Sequence, residues 1–211
     1  MKLESIRREY TRAELSKKNA DKHPMHLFQR WMKEVLNLNK IDATSMSIVT
    51  NGADGFPDSR IVLLKSYNNE GFVFFTNYNS QKGQAIAENP KVSLHFFWPE
   101  LERQVRISGI AEKTSIEESE AYFHSRPFES QVAAAVSEQS AEVPSRVYLE
   151  EKFDALKKEL NGTNPECPKN WGGYLVRPVK FEFWQGRENR LHDRIVYELK
   201  DEDWIIKRLA P

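Results

Sequence analysis

Arg60-Ile-Val-Leu-Leu-Lys65 places a cation at each end of an apolar, partly β-branched run. Cations set against apolar strand residues suit the holding of an anion, because a charge taken out of water needs a partner. Their separation puts Arg60 and Lys65 on opposite faces of a regular strand unless a bulge intervenes. Phe75-Thr76-Asn77 closes the next apolar run, and Ser80-Gln81-Lys82 opens a short helical pattern. A guanidinium, an ammonium, a hydroxyl and a helix N-terminus could therefore converge on one dianionic phosphate. Solvated charges at strand ends are the competing reading of the same spacing.

Two further groups have chemical character. Tyr122, Arg126 and Ser130 recur every four residues, the spacing of one helical face, while Pro127 predicts that one helix ends there and another begins. Phenol, guanidinium and hydroxyl make a second phosphate or carboxylate clamp, or else an ordinary surface face. Arg190, His192 and Arg194 alternate at period two, so a strand there shows three cationic or proton-carrying groups on one side. Such a row needs an anion or a π-system to face if it is interior, and is unremarkable on a solvent-facing edge.

Other chemistries lack support. There is no phosphate-loop motif, no dinucleotide-binding Gly-x-Gly-x-x-Gly and no Gly-x-Ser-x-Gly elbow. His23 and His26 stand three apart without a carboxylate motif or a third histidine, so no metal is expected. The single cysteine, Cys167, excludes an intrachain disulfide and reads as a bystander thiol. Lys+Arg and Asp+Glu number 31 each, a balance that argues against nucleic acid as the main partner. No apolar run reaches the roughly 18 residues that a membrane helix needs, and the charged opening is not a secretory signal, so the expected compartment is the reducing cytoplasm.

The elements that must position these residues follow from periodicity. Residues 1–40 carry ten Lys/Arg against five Asp/Glu, and 1–20 lack an apolar stripe, which predicts a flexible basic arm ahead of a single domain over 21–211. Met25, Phe28, Met32 and Val35 form a helical face behind Pro24. Strands are expected at 45–50, 59–67, 71–77, 91–98 and 103–112, separated by Asn/Gly/Asp/Pro turns, with a short helix near 80–88 capped by Ser80. Overlapping capping boxes start a helix near 115; Leu149, Phe153, Leu156 and Leu160 mark another, ended by Asn161-Gly162. Strands return at 174–184, 190–199 and 204–209. Strands on both sides of a helical insert imply one α+β domain on an antiparallel barrel.

Taken in order, Arg7-Arg-Glu-Tyr10, Arg60-Ile-Val-Leu-Leu-Lys65, Ser80-Gln-Lys82, Arg103-Gln-Val-Arg106, Ser125-Arg-Pro127, Gln139-Ser140, Trp171-Gly-Gly-Tyr174, Arg190-Leu-His-Asp-Arg194 and the closing Arg208-Leu-Ala-Pro211 resemble the pyridoxine (pyridoxamine) 5′-phosphate oxidase family from end to end. The resemblance implies an FMN-binding split barrel with peripheral helices, acting as a homodimer with FMN at the subunit interface. It implies oxidation of pyridoxamine or pyridoxine 5′-phosphate at C4′ to the aldehyde. Dioxygen would be the electron acceptor, giving hydrogen peroxide, with ammonia released from the amine.

Carried over residue by residue, Arg60 and Lys82, with Thr76 nearby, resemble the holders of the flavin phosphate. Ile61, Val62, Leu63, Leu64, Lys65, Phe75 and Gln81 fall within the same cofactor-binding segments. Gln104, Gln139, Ser140, Trp184 and Arg194 match flavin contacts, several of them from the second subunit. Lys65, Tyr122, Arg126 and Ser130 match the clamp on the substrate phosphate. Arg190 and His192 match the catalytic pair that covers and orients the pyridine ring, and Arg7 and Tyr10 an arm that closes over the site. Gln81 departs from the pattern, standing where a second cation beside Lys82 is expected. A split-barrel carrier or sensor of flavin or haem is the alternative; it would need the Arg60/Lys82 group but neither the Tyr122/Arg126/Ser130 clamp nor the Arg190/His192 pair.

Overall fold

A computed structural model describes residues 9–38 and 42–211. Arg7 therefore lies outside the described residues. The first helix, α1 (Pro24–Leu36), begins where expected: Pro24 occupies the first turn, and His23 Nδ1 accepts the Met25 amide at 3.3 Å as the cap. Its apolar face, with Met25, Phe28, Met32 and Val35 all buried, plugs a curled sheet.

That sheet is antiparallel throughout. Its strands are β1 (Ser45–Asn51), β2 (Pro57–Leu63), β3 (Ser66–Asn68), β4 (Gly71–Asn77), β5 (Lys91–Trp98), β6 (Arg103–Lys113), β7 (Trp171–Gln185), β8 (Asp193–Lys200) and β9 (Asp203–Leu209). The order is β2-β1-β5-β6-β7-β4-β3, with β8 and β9 leaving from β7. Alternation sends Met46, Ile48, Phe74, Leu94, Phe96, Val105, Ile107, Phe181 and Phe183 inward, where Phe28 meets Phe72 and Phe96 edge-on.

Strand β7 organises the molecule. One edge pairs with β6 along its length; the other pairs with β4 over Phe72–Asn77 and with β8 over Asp193–Glu198. Pro178 falls at this fork, where neither β4 nor β8 claims its position and its missing N–H leaves no gap in those ladders. Opposite it the β6 register shifts between Ser108 and Gly109, and a Cβ on Gly109 would lie 2.6 Å from the Arg177 carbonyl.

The helices follow the sequence signals. Ser80 caps α2 (Gln81–Glu88), and Ser115, the second of the two overlapping boxes, caps α3 (Ile116–Ser125) through the Glu118 amide at 3.0 Å. Pro127 ends that run and α4 (Phe128–Val136) follows. The last helix, α5 (Arg146–Leu160), stops at Asn161 in the left-handed region. Its periodic apolar face is only partly covered among the described residues: Phe153, Leu156 and Leu160 are half-buried and no residue of α5 is buried.

Three expectations change. The strand expected over 59–67 breaks at buried Leu64, so β2 and β3 are separate and the Lys65 amide pairs with Val73 instead. The strand expected from 190 starts at Asp193, because Asn189 and Arg190 take positive φ values of 54° and 60° in a short 3₁₀ turn. Within residues 9–20, expected in the loose arm, there is no helix or strand, yet Leu15 is buried and its amide donates to Asp193 at 2.9 Å.

Candidate active site

The ends of β2 and β4, the start of α2 and the α3–α4 junction enclose a cavity of about 470 Å³. Arg60, Ile61, Val62, Leu63, Lys65, Phe75, Thr76, Lys82, Tyr122, Arg126 and Gln139 all line it, with Trp171 as a further wall. The break at Leu64 explains how Arg60 and Lys65 reach one cavity although a regular strand would separate them. Leu64 itself belongs to the core.

One end of the cavity centres on Lys82. Its ammonium, nearly buried, donates to Thr76 Oγ1 at 3.2 Å, Ser80 Oγ at 3.3 Å and Gln139 Oε1 at 3.1 Å, all neutral acceptors. Burial pushes its pKa down, neighbouring Arg60 adds to the effect, and Asp58 opposes it. Thr76 Oγ1 also donates to Gln139 Oε1 at 2.9 Å, so one amide oxygen occupies two donors suited to an anion. Arg60 donates to Thr50 Oγ1 at 2.8 Å and ion-pairs with Asp58.

The other end is aromatic and cationic. Tyr122 stacks on Phe75 with centroids 3.9 Å apart, and Trp171 lies parallel to both. The Arg126 guanidinium sits 4.9 Å from the Trp171 ring centre, and its buried Nη1 has no hydrogen-bond partner among the described residues. Burial lowers the Arg126 pKa. The α3–α4 junction is held by Gln131, whose amide donates to the Arg126 carbonyl at 2.8 Å and to that of His124 at 3.3 Å. Ser130, in the first turn of α4, is half-buried and is not part of the cavity lining.

Gln81 and Ser140 line a neighbouring cavity of about 420 Å³, which shares Asn77 and Gln139 with the first. The remaining sequence candidates gather elsewhere. Gln104, Trp184 and Arg194 are register partners across β6, β7 and β8, so they form one row on one face. Gln104 meets His95 Nε2 at 3.1 Å, and Arg194 ion-pairs with Glu182 at 2.9 Å. His192 Nδ1 accepts the Arg187 amide at 3.1 Å, which puts the proton of the neutral ring on Nε2. Its ring packs 4.7 Å from Trp184 and 5.7 Å from Tyr10. Arg190 is exposed on the left-handed turn, not on the strand face shared with Arg194.

The two assemblies stand at opposite ends of β7. Trp171 opens that strand beside the cavity and Trp184 nearly closes it beside His192. Thirteen intervening steps of an extended strand span about 40 Å.

Sequence reasoning missed Asp193, which is buried and accepts from Leu15 at 2.9 Å and Arg208 at 2.6 Å, tying the N-terminal segment and β9 to the turn before β8. It also missed the Trp171 wall and the Arg60 partner Asp58. Trp171 had a signal as the first residue of the Trp171-Gly-Gly-Tyr174 motif, whereas Asp58 stood one residue ahead of the strand expected over 59–67, and it is the observed β2 that puts it on the Arg60 face.

A family model described as pyridoxamine 5′-phosphate oxidase matches residues 30–158, and one described as the pyridoxine 5′-phosphate oxidase C-terminal dimerisation region matches residues 171–211. A relative from Flavobacterium johnsoniae named pyridoxine/pyridoxamine 5′-phosphate oxidase is 51% identical over 210 residues, covering 99% of this chain and 98% of the relative. One of the same name from Hahella chejuensis is 50% identical over 212 residues, covering 100% of both. The crystal structure of PhzG from Burkholderia lata 383, in complex with tetrahydrophenazine-1-carboxylic acid, is similar with a TM-score of 0.87 at 27% identity, covering 92% of this chain and 95% of that one. A pyridoxamine 5′-phosphate oxidase-related, FMN-binding protein from Nostoc punctiforme shares the fold, with a TM-score of 0.70 at 16% identity over 87% of this chain and 97% of that one.

Proposed function

The chain belongs to the pyridoxamine 5′-phosphate oxidase family, and from that premise we propose that it oxidises pyridoxamine and pyridoxine 5′-phosphate at C4′ to pyridoxal 5′-phosphate. FMN is the cofactor. The observation that supports this reading is a single cavity lined by four cations, Arg60, Lys65, Lys82 and Arg126; we divide them into an Arg60/Lys82 station and a Lys65/Arg126 station, one for each of two phosphorylated molecules. Both stations suit phosphate: Lys82 is buried against neutral acceptors only, and Arg126 has an unused buried donor.

When bound, FMN would supply the hydride acceptor, with dioxygen as the final electron acceptor. The protein supplies position and field. Arg60, Lys82 and Thr76 would hold the flavin phosphate; Lys65, Tyr122 and Arg126 would hold that of the substrate, with Ser130 added from the first turn of α4 beside the cavity lining. The remote phosphate contacts turn binding energy into orientation of the pyridine ring. His192 presents its Nε2 proton to the ring hydroxyl, Arg190 covers the ring, and Tyr10, with Arg7, closes the arm. Gln104, Trp184 and Arg194 contact the flavin, with Arg194 favouring its reduced form by charge. The cofactor segment further includes Ile61 to Leu64, Phe75, Gln81, Gln139 and Ser140.

We assign the second half of each site to a second copy of the chain. Trp171 and Trp184 stand at opposite ends of β7, about 40 Å apart along the strand, and the dimerisation-region match supports a homodimer. No described helix is long and apolar enough to cross a membrane; the cytoplasm is proposed on the single unpaired thiol.

The test is a visible spectrum of the purified protein before and after pyridoxamine phosphate is added without oxygen. A flavin band that bleaches and returns with air is the expected result. A band indifferent to the substrate would move the assignment to a flavin carrier.

A further inference from the structure

The Arg60/Lys82 station contains an acid of its own. Asp58 precedes Arg60 by two positions on β2, and strand alternation puts both side chains on one face. Its carboxylate ion-pairs with Arg60 Nη2, and its carbonyl accepts from Nη1 at 3.2 Å. The pair is largely shielded, with side-chain exposures of 19% for Arg60 and 35% for Asp58. The Asp58 charge also acts on Lys82 through space, opposing the fall in the Lys82 pKa that burial and Arg60 produce. Two cations and one carboxylate leave the station with a formal charge of +1, against the roughly −2 of a phosphate monoester. Gln81, at the position where another cation was expected, faces the neighbouring cavity and adds no charge.

We propose that Asp58 is an internal counter-ion that sets FMN affinity. It satisfies Arg60 when no phosphate is present and weakens retention when one binds, because the guanidinium is shared and a like charge stands beside the dianion. This rests on the placement of the flavin phosphate at Arg60 and Lys82. At a separation of several ångströms in a half-shielded site, removing that negative charge tightens FMN about tenfold.

The experiment strips flavin from the holoenzyme and titrates the apoprotein with FMN and with riboflavin, reading quenching of flavin fluorescence. Asp58→Asn is expected to lower the FMN Kd about tenfold, to leave riboflavin unchanged, and to lose its advantage as salt rises. Asp58→Ser, which also removes the charge, must tighten FMN too, so the result does not depend on one variant folding well. An FMN Kd that is unchanged or raised in both variants, while Arg60→Ala weakens FMN but not riboflavin, overturns the counter-ion role and leaves the phosphate station standing. Arg60→Ala without effect on FMN overturns the station and the inference with it.

Discussion

Arg126 shows how a single side chain is prepared for an anion. It is pinned over Trp171, buried enough for its pKa to fall, and left with an unsatisfied buried Nη1. On the proposed assignment the substrate phosphate would relieve that cost, so Arg126→Ala is expected to raise the KM for pyridoxamine phosphate by about tenfold to a hundredfold, the worth of one charge-assisted hydrogen bond. Steady-state kinetics with the unphosphorylated amine provides the control: equal loss there would remove Arg126 from the phosphate clamp. Arg190 is the opposite case, exposed on a left-handed turn that follows the end of β7 opposite the Trp171 end beside the cavity. Arg190→Ala should cut turnover far more than flavin content measured by absorbance. The Tyr122/Arg126/Ser130 spacing was readable because a helical face has a fixed period, whereas the aromatic wall behind it joins residues from β4, α3 and β7.

At the scale of elements, breaks matter more than regular segments. The interruption at Leu64 turns Arg60 and Lys65 into one cavity, and Pro127 separates α3 from α4 so that Arg126 sits at their junction. The sequence signalled Pro127 outright but left the Leu64 break unannounced, since an apolar run reads as continuous strand until its neighbours compete for its hydrogen bonds. The tight turn after β7 is another such element. A Cβ at Gly186 would lie 2.7 Å from the Tyr10 ring, and the Gly186 amide is already committed to the Glu102 carbonyl at 2.8 Å. Gly186→Ala is therefore expected to push Tyr10 away from Trp184 and His192, raising KM severalfold while circular dichroism and flavin content stay near wild type.

For the molecule as a whole, a site shared between two copies has an arithmetic signature. Mixing Arg126→Ala and Arg190→Ala proteins through reversible unfolding places both lesions in one site of each mixed dimer and leaves its other site intact. Random pairing then restores about a quarter of wild-type activity, where no recovery would mean that each chain serves its own site. The core makes a separate prediction at high pH. Burial pushes Tyr174 and Tyr197 up to about 12, and Tyr197 donates to the Asp21 carbonyl at 2.8 Å. The unfolded chain loses these protons from about pH 10 while the folded one keeps them, so stability falls as pH rises from 10 toward 12. Urea titrations across that range should show a shallower decline for Tyr197→Phe, despite its lost hydrogen bond.

Periodicity, capping residues and turn clusters, all local properties, determined that this chain is an α+β domain on an antiparallel barrel, and they located most helix starts within a residue or two. The same local record singled out Arg60, Lys65, Lys82, Tyr122 and Arg126 by type and spacing. Only the tertiary structure decided that these five share one cavity, because their convergence depends on a strand break, a helix junction and long-range pairing. It also decided that Trp184 and His192 stand about 40 Å of strand away from Trp171. Asp58 illustrates the division: its nearness to Arg60 in sequence was readable, but its place on the strand face follows from β2 starting two residues earlier than expected, and its charge acquires meaning only where Arg60 and Lys82 meet it in space.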